Sequence, residues 1–448
     1  MRRFGARRSG GEERSDSSRA AWALLALAGF AFALTCARPP APRPRAITHV
    51  PPAPVPVSPV LPGPTPEPAQ RIERDERPAS EVEVGPLARF RLALRELAAG
   101  ARDRVRVVWL GDSHTAADYW THPVRRRLCD VAESGGPGFV HVGIPNYQHS
   151  MVRVDATGRW RAEPRAPSAR ELQADGNFGP SGMRARASGG ARAVLRVVDP
   201  PAVRVSWTVG LRFPDAGARV SLSLGDAAVV LGRIEPAALS QIHWETLRGE
   251  AAAPLTVVVE RGEVELFGAI AEFEQPGVVL DTLGINGARA ATPLAWDEQA
   301  WMEHLARREP QLVVLAYGTN EVFDALKPHR YESHYSELLR RVRAAAPDAD
   351  CLMIGPTDVA RGGAERDSRA AAIDGVQQST AASVGCAYFS AFQAMGGGLG
   401  FEAWRATEPQ LASPDGVHLT RTGYSLLGER VADFLLERTT LEVPESPP

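Results

Sequence analysis

A serine, a histidine and an aspartate stand in this chain where acyl-transfer chemistry would need them. Ser113 closes the run Val107-Val108-Trp109-Leu110-Gly111-Asp112-Ser113, an apolar strand pattern that ends in a turn. A helix is expected directly after it, which lifts the hydroxyl onto the carboxyl edge of a sheet, where open α/β folds place their chemistry. A serine hydroxyl is a weak nucleophile and needs a base within hydrogen-bond reach. His418, in Asp415-Gly416-Val417-His418, is a candidate base. Asp415 would orient its ring and stabilise the imidazolium. That separation is short for an acid and a base, but Pro414-Asp415-Gly416 favours the turn it requires. Taken singly, Gly-Asp-Ser reads as a helix cap, and Asp-x-x-His reads as a surface loop.

Two further segments shift that balance. An expected strand at 278–283 runs into Gly284-Ile285-Asn286-Gly287, and another at 312–317 runs into Gly318-Thr319-Asn320-Glu321. Both fall at the same sheet edge as Ser113. The transition state of acyl transfer carries an oxyanion, and the Ser113 N–H, the Gly287 N–H and the Asn320 amide are candidate donors to it. Losing one such donor typically lowers turnover ~10²–10³-fold. Asp112-x-His114 has a metal-like spacing but lacks a third ligand, and this chemistry needs neither a metal nor a cofactor. His114 is read as a shaping or substrate-contact residue. The glycine-rich run Met395–Gly400 does not follow a strand, so it makes no phosphate cradle.

The elements that must position these residues read as an interrupted α/β pattern. Helix 87–100, strand 105–110 and helix 115–133 come first. Later come strands at 278–283, 312–317, 351–355 and 386–389, alternating with helices near 297–308, 329–346, 365–383 and 421–438. Tyr335, Leu338, Leu339, Val342 and Ala345 share one helical face. Alternating strand and helix imply a doubly wound, mostly parallel sheet. Between about 150 and 275 short period-two runs replace the helices, such as Val203–Val209 and Val220–Leu224, with others at 191–198, 227–234, 254–260 and 264–273. Many short strands bounded by turn signals suggest an inserted β-sandwich. Within it Trp207 and Trp244 are candidates for stacking on sugar rings, with packing the preferred reading, and Trp109 reads as core.

The composition excludes several classes of function. A net charge of −2 leaves no electrostatic footprint for nucleic acid. A hydrophobic share of 44% fits a globular protein rather than a polytopic membrane protein. Of the cysteines Cys36, Cys129, Cys351 and Cys386, none forms a CxxC pair or a zinc-type spacing. Cys351 and Cys386 open strands that can be neighbours; buried free thiols are expected, with a disulfide as the alternative. Arg2, Arg3, Arg7 and Arg8 precede an apolar run from Ala20 to Cys36, the pattern of an export signal. A lipoprotein anchored at Cys36, an uncleaved anchor and a cleaved signal all fit this segment, 1–36. Residues 37–80 are dense in proline and read as a semi-rigid spacer, and 441–448 as a tail.

Gly-Asp-Ser near the start, the second-block Gly287, Gly-x-Asn320 and Asp-x-x-His418 together resemble the SGNH (GDSL-type) hydrolase family. The likeness covers about 85–150 and 276–440. It implies a split, flavodoxin-like hydrolase domain at 81–150 and 276–440, with 151–275 inserted. It also implies catalysis by Ser113, His418 and Asp415, with an oxyanion hole at Ser113, Gly287 and Asn320. The longer run Gly111–Asp118, Tyr317–Glu321 and Ala403-Trp404-Arg405 ahead of Ser413–His418 resemble bacterial peptidoglycan O-acetylesterases, which carry a carbohydrate-module-like β-domain in the same place. The implied partner is an acetylated polysaccharide, acted on in the cell envelope with a membrane tether at the N-terminal segment. A glycan O-acetyltransferase sharing the acetyl-enzyme, and a non-catalytic envelope-binding protein, are the alternatives.

Overall fold

The central strand β1 (Arg104–Gly111) shows how this fold sorts its side chains. Val105, Val107 and Trp109 point into one core, and Val108 and Leu110 into another. Side chains alternate along a strand, so a strand apolar at both parities needs cover on both faces. The same division holds in β14 (Leu312–Ala316), where Leu312, Val314 and Ala316 face one core and Val313 and Leu315 the other. The computed structural model describes residues 85–436, apart from 146, 165–174, 233–240, 325–326 and 361–363. The expected signal or anchor segment 1–36 with Cys36, the spacer 37–80, the tail 441–448 and the last two residues of the expected helix 421–438 lie outside the described residues.

β1 lies in a five-stranded parallel sheet with β13 (Gly277–Gly284), β14, β15 (Asp350–Ile354) and β16 (Ala387–Phe389), in the order β13-β1-β14-β15-β16. Helices α1 (Ala88–Ala98), α3 (Thr121–Ala132), α8 (Gly400–Arg405) and α9 (Arg421–Leu435) cover one face. Helices α4 (Glu298–Arg307), α5 (Pro328–Ala345) and α6 (Ala364–Val384) cover the other. The chain leaves β1, adds β13 on one side of it, and then lays β14 on the other side. Open α/β sheets bind ligands beyond the carboxyl ends of their strands at such a reversal.

Two antiparallel sheets intervene between β1 and β13. One has the order β3 (Val152–Thr157), β6 (Arg192–Val197), β11 (Leu255–Arg261), β8 (Arg219–Leu224) and β9 (Ala227–Gly232). The other has the order β10 (His243–Glu250), β7 (Arg204–Arg212), β12 (Glu263–Phe273), β5 (Arg184–Ser188) and β4 (Trp160–Glu163), and β2 (Gly138–Val140) also pairs with β12. Their inner faces share one apolar core. β7 (Arg204–Arg212) sends Val205, Trp207, Val209 and Leu211 into it. The sandwich is joined to the α/β half by ions as well as by chain. Glu272 of β12 receives Arg106 of β1 at 2.9 Å and Arg308 at 2.9 Å, and Arg308 also reaches Asp281 of β13 at 2.5 Å.

The structure departs from the sequence reading at two places in the fold and bears out the preferred reading of two tryptophans. The expected helix 115–133 is two helices: α2 (Ser113–Ala116) stops, Asp118 takes a φ of 58°, and α3 restarts at Thr121. Asp118 leaves the helical path because its carboxylate is the centre of a buried network described below. Cys351 and Cys386 are bonded rather than free. Leu352 pairs with Ala387 across β15 and β16, so the two cysteines, one residue earlier on each parallel strand, stand opposite each other. Trp207 is wholly buried in the sandwich core. Trp244 packs edge-on against His304 beneath the Arg307 guanidinium, so packing accounts for both rings.

Candidate active site

The nucleophile's position begins with Gly111. A Cβ there would meet the Thr115 hydroxyl at 2.2 Å and the Ala316 carbonyl at 2.9 Å, so only glycine lets the chain turn so tightly off β1. Asp112 then caps α2, its Oδ1 accepting from the His114 N–H at 3.0 Å. Ser113 follows, half-buried, with its Oγ 2.9 Å from His418 Nε2.

His418 and Asp415 come from one loop between α8 and α9. Gly416 takes a φ of 76° and its N–H donates to the Ser413 carbonyl, which closes the turn expected around Pro414. Asp415 Oδ1 accepts the backbone N–H groups of Val417 at 3.0 Å and His418 at 2.9 Å. Its Oδ2 lies 2.6 Å from His418 Nδ1. Burial alone would raise the Asp415 carboxyl, but the His418 backbone and ring and the Val417 N–H outweigh it and hold the group below its ordinary value. Asp415 is therefore an anion at neutral pH, and a positive charge on the His418 ring would have a counter-charge in place.

Gly287 and Asn320 arrive from the neighbouring strands. Gly287, at a φ of 78°, lies in the loop after β13, with open space where a side chain would be. Among the described residues neither its N–H nor that of Ser113 has a hydrogen-bond acceptor. Asn320 Nδ2 donates to the Ala288 carbonyl at 2.9 Å and more weakly to Asp112 Oδ2 at 3.4 Å. Asn320 thus ties the residue after Gly287 to the residue before Ser113.

His114 is not where a substrate contact would be. It is 2% exposed, with Nδ1 2.8 Å from the Tyr424 hydroxyl and Nε2 3.3 Å from that of Thr357. Burial, with the nearby His418, pushes its ring down to about 3, so it is neutral. Its ring centroid is 5.3 Å from that of His418, and it supports the base from behind.

Several residues that hold the site carry no signal of their own in the sequence. Asp118 is wholly buried and accepts from both Arg125 nitrogens at 3.0 Å, from Thr121, from Thr282 and from the Ser150 N–H. Burial opposes its charge, but Arg125 prevails and holds it far below the carboxylate range. Glu321 Oε1 accepts the Ala290 N–H at 2.8 Å, and Arg289 clasps Asp324 at 2.6 Å and 2.8 Å while donating to the Gly287 carbonyl. Burial lifts Asp112 to about 8 and Glu321 to about 7. Among the described residues no group of three or more His, Cys, Asp or Glu side chains is arranged to hold a metal ion.

A nucleophile, a base oriented by an anion, and two unpaired N–H groups stand where strand order reverses. This is the constellation of a serine hydrolase on an α/β sheet. Residues 260–426 match the model of the GDSL-like Lipase/Acylhydrolase family, a span that holds Gly287, Asn320, Asp415 and His418 and leaves Ser113 outside. The chain carries a domain of that family, and the protein is an esterase. A solved peptidoglycan O-acetylesterase is similar at 25% identity and a TM-score of 0.66, over 80% of this chain and 97% of that one. That share is too large to be met by the α/β half alone. A lipase/acylhydrolase from Enterococcus faecalis has 19% identity and a TM-score of 0.29, over 36% of this chain and 77% of its own. A family two carbohydrate esterase from Cellvibrio japonicus has 10% identity and a TM-score of 0.27, over 64% and 98%. No curated protein matches the sequence.

Proposed function

We propose that the protein removes O-acetyl groups from a glycan of the cell envelope, peptidoglycan foremost, through an acetyl-enzyme on Ser113. The observation that carries this reading is the continuous relay Ser113 Oγ, His418 Nε2, His418 Nδ1, Asp415 Oδ2, at 2.9 Å and 2.6 Å. His418 takes the Ser113 proton as Oγ attacks the acetyl carbonyl. The Ser113 and Gly287 N–H groups and the Asn320 amide receive the oxyanion. The long Asn320 contact to Asp112 is the one that yields, since a neutral Asp112 carboxyl holds it weakly. The sugar alcohol leaves with the proton from His418. Water, deprotonated by the same ring, then cleaves the acetyl-serine and releases acetate.

The sugar substrate is supported by the likeness to the peptidoglycan O-acetylesterase. A hydrolase domain at 81–150 and 276–440, with an inserted sandwich at 151–275 that presents the glycan, belongs to the same proposal. An envelope location is supported by the basic and apolar N-terminal pattern and by the Cys351–Cys386 disulfide, a bond that persists in oxidising compartments. The test is acetate release from O-acetylated peptidoglycan by the full chain. Ser113→Ala is expected to lower kcat by about 10⁶. A variant that released acetate at the wild-type rate would overturn the assignment.

A further inference from the structure

A groove of about 350 Å³ opens at the end of α2, walled by Tyr119, His122, Gln148, His149 and Arg421. It begins at Ala117, which caps the helix that Ser113 starts, so about 6 Å of helix lies between nucleophile and groove. Arg421 stands three residues beyond His418, on the first turn of α9. The groove is therefore placed to receive what lies next to the ester bond.

Its electrostatics are one-sided. Asp118 lines the groove, but its carboxylate is wholly engaged by Arg125, Thr121, Thr282 and the Ser150 N–H and has nothing to offer a ligand. His149 is likewise engaged, with Nδ1 accepting the Met151 N–H and Nε2 beside the Pro137 carbonyl. His122 Nδ1 has no partner among the described residues. Arg421 lies over the Tyr119 ring at 4.8 Å and donates once, to the Tyr119 hydroxyl at 3.3 Å, while Tyr119 donates to Gln148. Among the described residues no carboxylate pairs with Arg421. A guanidinium has five donors in a planar fork that matches a carboxylate. Here it is held over an aromatic ring with most of those donors unused.

We propose that this groove recognises a carboxylate on the acetylated glycan and that Arg421 binds it. The inference rests on the esterase reading of Ser113 and adds the kind of sugar: an acidic one, not a neutral one. The carboxylate can come from the lactyl ether of a muramic-type sugar or from a uronic acid, and recognition is the same two-pronged hydrogen bond.

The test uses the full chain and four substrates: p-nitrophenyl acetate, an O-acetylated neutral xylo-oligosaccharide, an O-acetylated muramyl oligosaccharide with its lactyl carboxylate free, and an O-acetylated oligouronate. The wild type should prefer one of the acidic pair to the neutral oligosaccharide, and which one identifies the source. Arg421→Gln should cut kcat/KM on that substrate at least about tenfold more than on p-nitrophenyl acetate, mainly through KM. Arg421→Lys should recover part of the loss, because it restores the charge without the fork. Binding to S113A, measured calorimetrically, should favour the same acidic oligosaccharide and weaken with salt. Equal affinity of S113A for acidic and neutral oligosaccharides would overturn the inference while leaving the esterase reading intact. A wild type inactive on all four esters would overturn that reading instead.

Discussion

On the β1 side of the site Asp112, His114 and Asp118 are almost closed off from water, whereas His418 and Asp415 keep 40% and 48% of their side chains exposed. The buried side is kept electrically quiet. Asp112 rises to about 8 and His114 falls to about 3, so neither is charged near neutrality, and Asp118 is neutralised by Arg125. The group that must gain and lose a proton in each turnover lies on the wet side, where a changing charge costs least. One half of the site thus fixes position and the other carries charge, and four substitutions test that division.

Asp415→Asn should act on chemistry alone. Turnover is expected to fall about 10⁴-fold, as when a triad acid is made neutral. Stability should move by no more than about 0.5 kcal/mol, the usual range for exposed positions. A retained rate would show that the exposed half does not run through Asp415. Asp118→Ala should do the reverse. Stripping Arg125 of its buried partner should cost about 3–5 kcal/mol in urea unfolding. A variant as stable as the wild type yet inactive would break the division, because it would give the buried half a part in chemistry.

Tyr424→Phe removes the partner of His114 Nδ1. An unmet buried donor or acceptor costs about 1–3 kcal/mol. Thermal unfolding should show that loss, with kcat changed far less than by Asp415→Asn. A fourth expected effect is in pH dependence. Asp112 titrates near 3.8 when unfolded and about 8 when folded, so the folded chain holds a proton that the unfolded chain releases. Stability therefore falls as pH rises through that window. Asp112→Asn lacks this term, so its Tm should fall less than that of the wild type between about pH 5 and about pH 8.5. The rise of Glu321 to about 7 leaves a residual slope in both proteins. Parallel Tm curves would show that Asp112 is not the buried acid responsible.

Strands buried on both faces announce themselves in sequence. The expected strands 105–110, 278–283 and 351–355 fall within β1, β13 and one residue of β15. Among the missed ones are strands with little apolar side chain to show. β5 (Arg184–Ser188) buries only Ala185 and Ala187 in the apolar sense, while Arg184 and Arg186 enter ionic contacts with Glu163, Glu263 and Glu265. β10 (His243–Glu250) is polar along most of its length and is held by its register with β7. Ser113, Asp415 and His418 were legible only in combination, because the segments at Gly287 and Asn320 fall at the same expected sheet edge. The Asp118 network was not, since its partners at 121, 125, 150 and 282 meet only after the sheet has formed. The disulfide escaped for a related reason: spacing shows that two strands can be neighbours but not that Cys351 and Cys386 share a register.

Ser113 and His418 are 305 residues apart in the chain, and the base lies just ahead of α9, which packs on the α3 that follows the nucleophile. A chain growing from the ribosome therefore displays its serine long before it owns a base. Until the segment around position 418 has emerged, the relay proposed for Ser113 lacks its base. On the proposed assignment, the order of synthesis supplies the nucleophile first and the base last.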